Sequence, residues 1–242
     1  MILSANLGFL FSELDLPARV HAARAAGFDA VEFHDQPQQA APALPSALAQ
    51  AGLPVLALNS FMGPGKGRAA LCAGDFAQDF AEAERAATGL GARAIHVTAG
   101  LGGSAGVYLS SLRHALHHTE RMILIEPLCP QAVPGYHLAS LAQAEAVLAQ
   151  CAHPRLKLMF DWYHIANELG AEGALAALER LGPQIGHVQL ARSRDRGAPL
   201  PAQMPELARI LALMRRQRLN TLGLEFHPEG AVAPVVEAIR AM

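Results

Sequence analysis

Leu156-Lys157-Leu158-Met159-Phe160-Asp161-Trp162-Tyr163-His164 is an apolar run that ends in a carboxylate. Three other runs in the second half of the chain share the pattern: Ile123-Leu124-Ile125-Glu126-Pro127, Ile185-Gly186-His187-Val188-Gln189 and Leu222-Gly223-Leu224-Glu225-Phe226. Short, nearly continuous apolar runs read as buried strands, and strands buried on both faces belong to parallel sheets covered by helices. The segments between them are Ala/Leu-rich and amphipathic. Phe76, Phe80, Ala83, Ala87 and Leu90 follow one another at helical spacing, as do Leu207, Ile210, Leu211 and Met214.

Extended over the chain, the pattern predicts strands at 2–9, 29–33, 54–60, 94–99, 122–128, 156–162, 185–190 and 221–226. Helices are predicted near 16–26, 41–51, 75–90, 105–120, 138–152, 171–181, 204–218 and 231–240. Eight strand–helix repeats close into an α/β (β/α)8 TIM barrel, and 242 residues is the usual size of one. One domain over residues 1–242 is expected. An open doubly wound sheet would favour a G-x-G-x-x-G loop after the first strand, and none is there. The long loops fall at 61–74 and 192–205.

The net charge of −2, without long runs of either sign, argues against nucleic-acid and membrane-surface partners. No apolar run reaches the roughly 18–20 residues that span a bilayer. Cys72, Cys129 and Cys151 form no C-x-x-C pair and no disulfide framework, and no signal peptide is evident, which together fit the cytoplasm. Assembly into a homo-oligomer is left open.

In a parallel barrel all strand C-termini meet at one face. Glu126, Asp161, Gln189 and Glu225 come from strands five to eight and are expected to converge there. Three carboxylates crowded together repel, and some must protonate unless a cation joins them. An all-oxygen donor set favours Mg²⁺ or Mn²⁺ over Zn²⁺, with Mn²⁺ preferred slightly. The competing reading is four unrelated polar caps on strands.

His164, expected in the loop after strand six, could hydrogen-bond a substrate oxygen. His96, inside strand four, could donate to a carbonyl or hydroxyl, or be a satisfied core histidine. Asn6 and Glu32 could face the same pocket or pair with polar neighbours on adjacent strands. His187, deeper than Gln189 on the same face, reads as support. Arg192, Arg194 and Arg196 crowd the loop after strand seven, and one of them could fork a substrate carboxylate. Lys66 and Arg68 are a second such candidate.

Several stretches then resemble the hydroxypyruvate isomerases of the xylose isomerase-like TIM-barrel superfamily. They are Ser4-Ala5-Asn6-Leu7 with Phe9-Leu10-Phe11, Ala26-Gly27-Phe28-Asp29-Ala30-Val31-Glu32-Phe33, His96-Val97-Thr98-Ala99-Gly100, Ile125-Glu126-Pro127-Leu128, Pro134-Gly135-Tyr136, Phe160-Asp161-Trp162-Tyr163-His164 and Ile185-Gly186-His187-Val188-Gln189. The resemblance implies that Glu126 and Glu225 are catalytic glutamates that also bind metal, that Asp161 and Gln189 complete the ligand set, and that His164 contacts substrate. Gln189 separates the chain from ketose 3-epimerases, which usually carry His there. The chain departs from the family at Ala191–Leu200, where only Arg196 keeps the family's arginine. The Glu-Pro and Asn-Tyr elements expected in that loop are missing. The resemblance implies an isomerase moving a proton between adjacent carbons of a small 2-oxo/hydroxy acid, with Arg196 on its carboxylate. Other readings are a 2-oxo-tetronate isomerase, a ketose 3-epimerase, an endonuclease-IV-like phosphodiesterase and a non-catalytic sugar-acid binding protein.

Overall fold

The inward and outward faces of the apolar runs sort themselves into two separate cores. In a computed structural model of the chain, which describes residues 1–34 and 41–242, Ile123 and Ile125 face the helices while Leu124, between them, faces the barrel interior. The strands are β1 Ile2–Asn6, β2 Ala30–Phe33, β3 Val55–Asn59, β4 Ala94–His96, β5 Met122–Ile125, β6 Leu156–Asp161, β7 Ile185–Leu190 and β8 Thr221–Leu224. They pair in parallel and in sequence order, and β8 closes on β1. The helices among the described residues are α1 Leu16–Ala25, α2 Leu44–Ala51, α3 Ala73–Leu90, α4 Ala105–His118, α5 Leu141–Cys151, α6 Trp162–Leu181, α7 Leu207–Arg216 and α8 Ala233–Arg240. The eight predicted repeats are present. No helix among the described residues is long and apolar enough to cross a membrane.

The main core lies between barrel and helices and includes Phe28, Phe76, Phe80, Phe160 and Trp162. The barrel interior has only a thin apolar plug of Ala57, Ala94, Leu124 and Met159. Above the plug, the inward positions turn polar.

A loop was expected after Asp161, with a helix from 171; instead α6 starts at Trp162. The Asp161 carboxylate caps it by accepting from the Tyr163 N–H at 2.8 Å, the favoured role for Asp at a helix start. The helix is interrupted at Gly170, which takes φ 72° and ψ 166°. His164 therefore stands on the first helical turn, not in a loop.

Polar residues also fill space lower in the barrel. Glu32 accepts from His187 Nε2 at 2.8 Å and from Gln189 Nε2 at 3.3 Å. Gly223, paired with Gln189 across β7 and β8, leaves the room they occupy. A Cβ there would sit 2.3 Å from Glu32 Oε1 and 2.8 Å from His187 Nε2. Both side chains are buried and tied to each other, so neither can swing away. Gly223→Ala should therefore destabilise the fold by roughly 1–3 kcal/mol, read from the midpoint of denaturant unfolding. An unchanged midpoint would mean that this polar layer yields.

Candidate active site

Each strand that ends in a polar residue delivers it to the same mouth. Glu126 follows β5 directly, Asp161 closes β6, Gln189 is the penultimate residue of β7 and Glu225 follows β8 directly. All four are buried. A cavity there is lined by Asn6, His96, Glu126, Gln189, Arg196 and Glu225, with His164 and Lys66 also on its wall. Asp161 stands beside it, bound to Arg196. Glu32 is not among the lining side chains; it lies beneath, held by His187 and Gln189. Its position supports the site from below and offers no surface to a substrate.

Arg196 dominates the geometry. It comes from the loop after β7 with a left-handed backbone, φ 56°, which is uncommon for a residue with a Cβ. Its guanidinium donates to Asp161 Oδ2 at 2.9 Å and to Glu225 Oε1 at 2.5 Å. The rings of Phe9 and Tyr163 each lie 4.7 Å from its central carbon. The side chain was expected to fork a substrate carboxylate; it points inward, but onto the protein's own carboxylates. Asn6 Nδ2 donates to the other Glu225 oxygen at 2.7 Å, so both oxygens of that carboxylate are engaged.

The histidines fall into place around these groups. The Cys129 N–H lies 3.2 Å from His164 Nδ1, and Arg196 Nη1, which can only donate, lies 3.1 Å from its Nε2, so each ring nitrogen faces a donor. His96 Nδ1 lies 3.2 Å from Asn59 Oδ1. Asn59 donates its amide to Met62, so its oxygen accepts from His96 and leaves His96 Nε2 bare, 3.6 Å from Glu126 Oε2. His96 was expected as a donor; this network makes its cavity-facing nitrogen an acceptor. Burial, first among the causes, depresses His96 to about 3 and His164 to about 4. Both are neutral at neutral pH.

The carboxyls shift the opposite way. Glu126 is pushed well above the usual carboxylate range by burial first, then by the charges of Asp161 and Glu225. Glu225 is pushed up to about 8, again by burial first, with Asp161 and Glu32 adding and Arg196 opposing. Crowded buried carboxyls keep protons that isolated ones lose.

The donors fit a hard divalent cation. One oxygen each from Glu126 and Asp161 and a nitrogen of His164 lie within 4.8 Å of one another. Glu225 stands outside that tight group, joined to Asp161 through Arg196. Glu126 Oε1 and Gln189 Oε1 are buried with no hydrogen-bond partner. The Gln189 amide nitrogen is held by Glu32, which turns its oxygen away from that bond. Orphaned buried oxygens are costly unless something binds them.

Asn59, Phe9, Tyr163 and His34 were not singled out from the sequence as site residues. Asn59 carries the same signal as the other four, since Val55-Leu56-Ala57-Leu58-Asn59 is another apolar run closed by a polar residue. Phe9 and Tyr163 had no such mark, because an aromatic beside a strand reads as core. His34 lies on the cavity wall, 3.9 Å from Glu225 Oε1.

Residues 20–242 match the family described as Xylose isomerase-like TIM barrel, and the chain belongs to it. It is 31% identical over 213 residues to the hydroxypyruvate isomerase of Escherichia coli K12, covering 81% of each chain. To the 2-oxo-tetronate isomerase of Cupriavidus necator it is 32% identical, again with 81% of each covered. These relatives make the chain an enzyme of the isomerase class. A crystal structure titled AP endonuclease, family 2, from Brucella melitensis superposes with a TM-score of 0.85 over 97% of this chain and 96% of that one. At 24% identity that likeness speaks for the fold alone.

The raised carboxyls make stability depend on pH. A group whose folded value lies above its unfolded value binds extra protons in the folded state, so stability falls as pH rises. For Glu225 the contribution is full below pH 4.5 and is lost as pH passes about 8. The thermal midpoint of EDTA-treated protein should decline across that window. Glu225→Gln should flatten the decline, and an equally steep profile in that variant would contradict the assignment.

Proposed function

We propose that the chain interconverts a small 2-oxo acid and its hydroxy-aldehyde isomer, hydroxypyruvate and tartronate semialdehyde being the simplest pair. The observation that carries this reading is the pair of buried glutamates with raised proton affinity, Glu126 and Glu225, on one cavity wall and floor. The names of the relatives support the same substrate class.

The reaction removes a proton from C3 of hydroxypyruvate and returns one to C2, while a proton moves from the C3 hydroxyl to the C2 oxygen. The intermediate is an enediolate. One glutamate acts as the base at C3 and the other as the acid at C2; they come from β5 and β8, on different sides of the mouth. His164, on the cavity wall with its Nε2 3.1 Å from Arg196 Nη1, holds that guanidinium beside the C2 oxygen. His96 holds a bare nitrogen 3.6 Å from Glu126 and can accept a proton shared with that carboxyl. The guanidinium of Arg196 keeps positive charge beside the region where the enediolate forms. A divalent cation, Mn²⁺ or Mg²⁺, held by Glu126, Asp161, Gln189 and Glu225 would add Lewis-acid stabilisation of that negative charge. Phe9 and Tyr163 cover Arg196 and limit water around it.

The test is turnover of hydroxypyruvate with Mn²⁺ or Mg²⁺ supplied, followed by proton NMR in D₂O for exchange at C3. Positioned acid–base catalysis is worth roughly 10²–10⁴-fold. Glu126→Gln and Glu225→Gln should each lose activity on that scale while unfolding like the parent. Full exchange and turnover in either variant would remove that residue from the reaction.

Cation binding is measured separately. Titration of EDTA-treated protein with Mn²⁺ by calorimetry should show a single site that Asp161→Asn abolishes. Arg196→Met should bind the ion more tightly, because its guanidinium no longer holds oxygens of Asp161 and Glu225. Equal affinity in parent and Arg196→Met would mean that the ion does not use those oxygens.

A further inference from the structure

The chain has five basic side chains in the two long loops over the barrel mouth, and four of them are accounted for elsewhere. Arg196 is spent between Asp161 and Glu225. Arg192 forks onto Asp195, both bonds at 2.7 Å. Arg68 forks onto Asp79 at 2.5 and 2.7 Å and lies over the Phe61 ring. Arg194 is exposed and not on the cavity wall. Lys66 alone lines the cavity with no hydrogen bond or ion pair to any described residue.

A carboxylate substrate entering this cavity meets Glu126, Asp161 and Glu225. Beside the divalent cation proposed above, a side-chain cation that the protein does not already neutralise would draw such a substrate in. The histidines of the cavity already stand against the protein's own carboxyls: His96 is 3.6 Å from Glu126, His164 is 3.7 Å from Asp161 and His34 is 3.9 Å from Glu225. Lys66 shares the cavity wall with Glu225 and His34.

The loop fixes where Lys66 begins. Lys66 itself takes a left-handed backbone, φ 56°, as Arg196 does. Gly67 follows at φ 102°, and a Cβ on it would meet the Thr98 carbonyl oxygen at 2.3 Å, so the loop lies flat on the segment after β4. The Ala70 N–H donates to the Ala99 carbonyl at 2.9 Å, and Ser111 Oγ of α4 donates to the Ala69 carbonyl at 2.7 Å. The Arg68–Asp79 fork pins the same loop to α3. An unusual backbone held this firmly, under a side chain that has no partner among the described residues, points to a function for that side chain.

We propose that Lys66, not Arg196, recognises the carboxylate of the substrate and so selects small acids over neutral sugars. The proposal rests on the isomerase reading above and assigns its specificity. In the bound state the Lys66 ammonium meets the C1 carboxylate at the mouth, and the C2–C3 bond reaches down between Glu126 and Glu225. Lys66 is thus a substrate-binding residue that takes no part in proton transfer.

The experiment compares the parent, Lys66→Met and Lys66→Arg. Two quantities are read: kinetics on hydroxypyruvate, and inhibition by D-glycerate, a carboxylate that cannot enolise, with glycerol as its uncharged counterpart. Loss of a charge-assisted contact to a carboxylate weakens binding roughly ten- to a hundredfold. Lys66→Met should raise KM for hydroxypyruvate and the inhibition constant for glycerate by that factor. Its kcat and its response to glycerol should stay near the parent's, and Lys66→Arg should recover much of the loss. An unchanged KM and glycerate constant in Lys66→Met would overturn the proposal. So would a loss confined to kcat, or a parent that binds glycerate no better than glycerol. If the parent binds glycerate through Lys66 yet does not isomerise hydroxypyruvate, the isomerase reading fails and the carboxylate assignment stands.

Discussion

Three carboxylates buried at the mouth of one barrel are the constraint around which the rest is arranged. Glu126, Asp161 and Glu225 cannot all be ionised in a dry pocket without a counter-charge. The chain answers in three ways at once. Arg196 bridges two of them, Glu126 and Glu225 are pushed toward protonation, and Asp161 spends one oxygen on the start of α6. Each answer is partial. Glu126 Oε1 and Gln189 Oε1 are still unpartnered, and a site left in that state suits a ligand that brings positive charge or proton donors.

The supporting layer follows from the same need. A reactive carboxylate is useful only where its neighbours hold it still. Gln189 is oriented through Glu32, Glu32 through His187, and His187 Nδ1 lies 3.0 Å from Thr221 Oγ1 at the foot of β8. The chain of contacts crosses from β2 to β7 and β8 through the middle of the barrel. It explains why Gly223 has no side chain and why Glu32, despite its place at a strand end, never reaches the cavity. His96 is steadied in the same fashion by Asn59 from the neighbouring strand.

The barrel and the position of its polar ends were legible in the sequence because both depend on alternation within short strands. An apolar run closed by Glu, Asp or Gln has one simple explanation in a parallel barrel, and Glu126, Asp161, Gln189 and Glu225 follow it. Asn59, which closes the apolar run of β3, obeys the same rule. What alternation cannot show is direction within a loop. Alternation and spacing in Ala191–Leu200 do not distinguish Arg192, which pairs locally with Asp195, from Arg196, which a left-handed turn sends into the pocket; only the family resemblance marks Arg196. The start of α6 was missed for a related reason. Asp161 reads as a strand end, and its second role as a helix cap depends on a backbone turn that neighbouring residues Trp162 and Tyr163 do not advertise.

The two cations at the mouth carry different physical duties, and the difference lies in what surrounds them. Arg196 is planar, sandwiched between two aromatic rings and bonded to two carboxylates, so its charge is spent on holding the protein together. Lys66 is a point charge on a flexible stem, anchored at its backbone and, among the described residues, without a partner at its tip. A fixed guanidinium tunes the groups that move protons; a free ammonium can follow an incoming anion and still release it. Separating the two tasks also settles a conflict in the site. A single cation serving both the catalytic carboxylates and the substrate would have to abandon one to bind the other, exposing the buried glutamates to full repulsion as the substrate's own negative charge arrives.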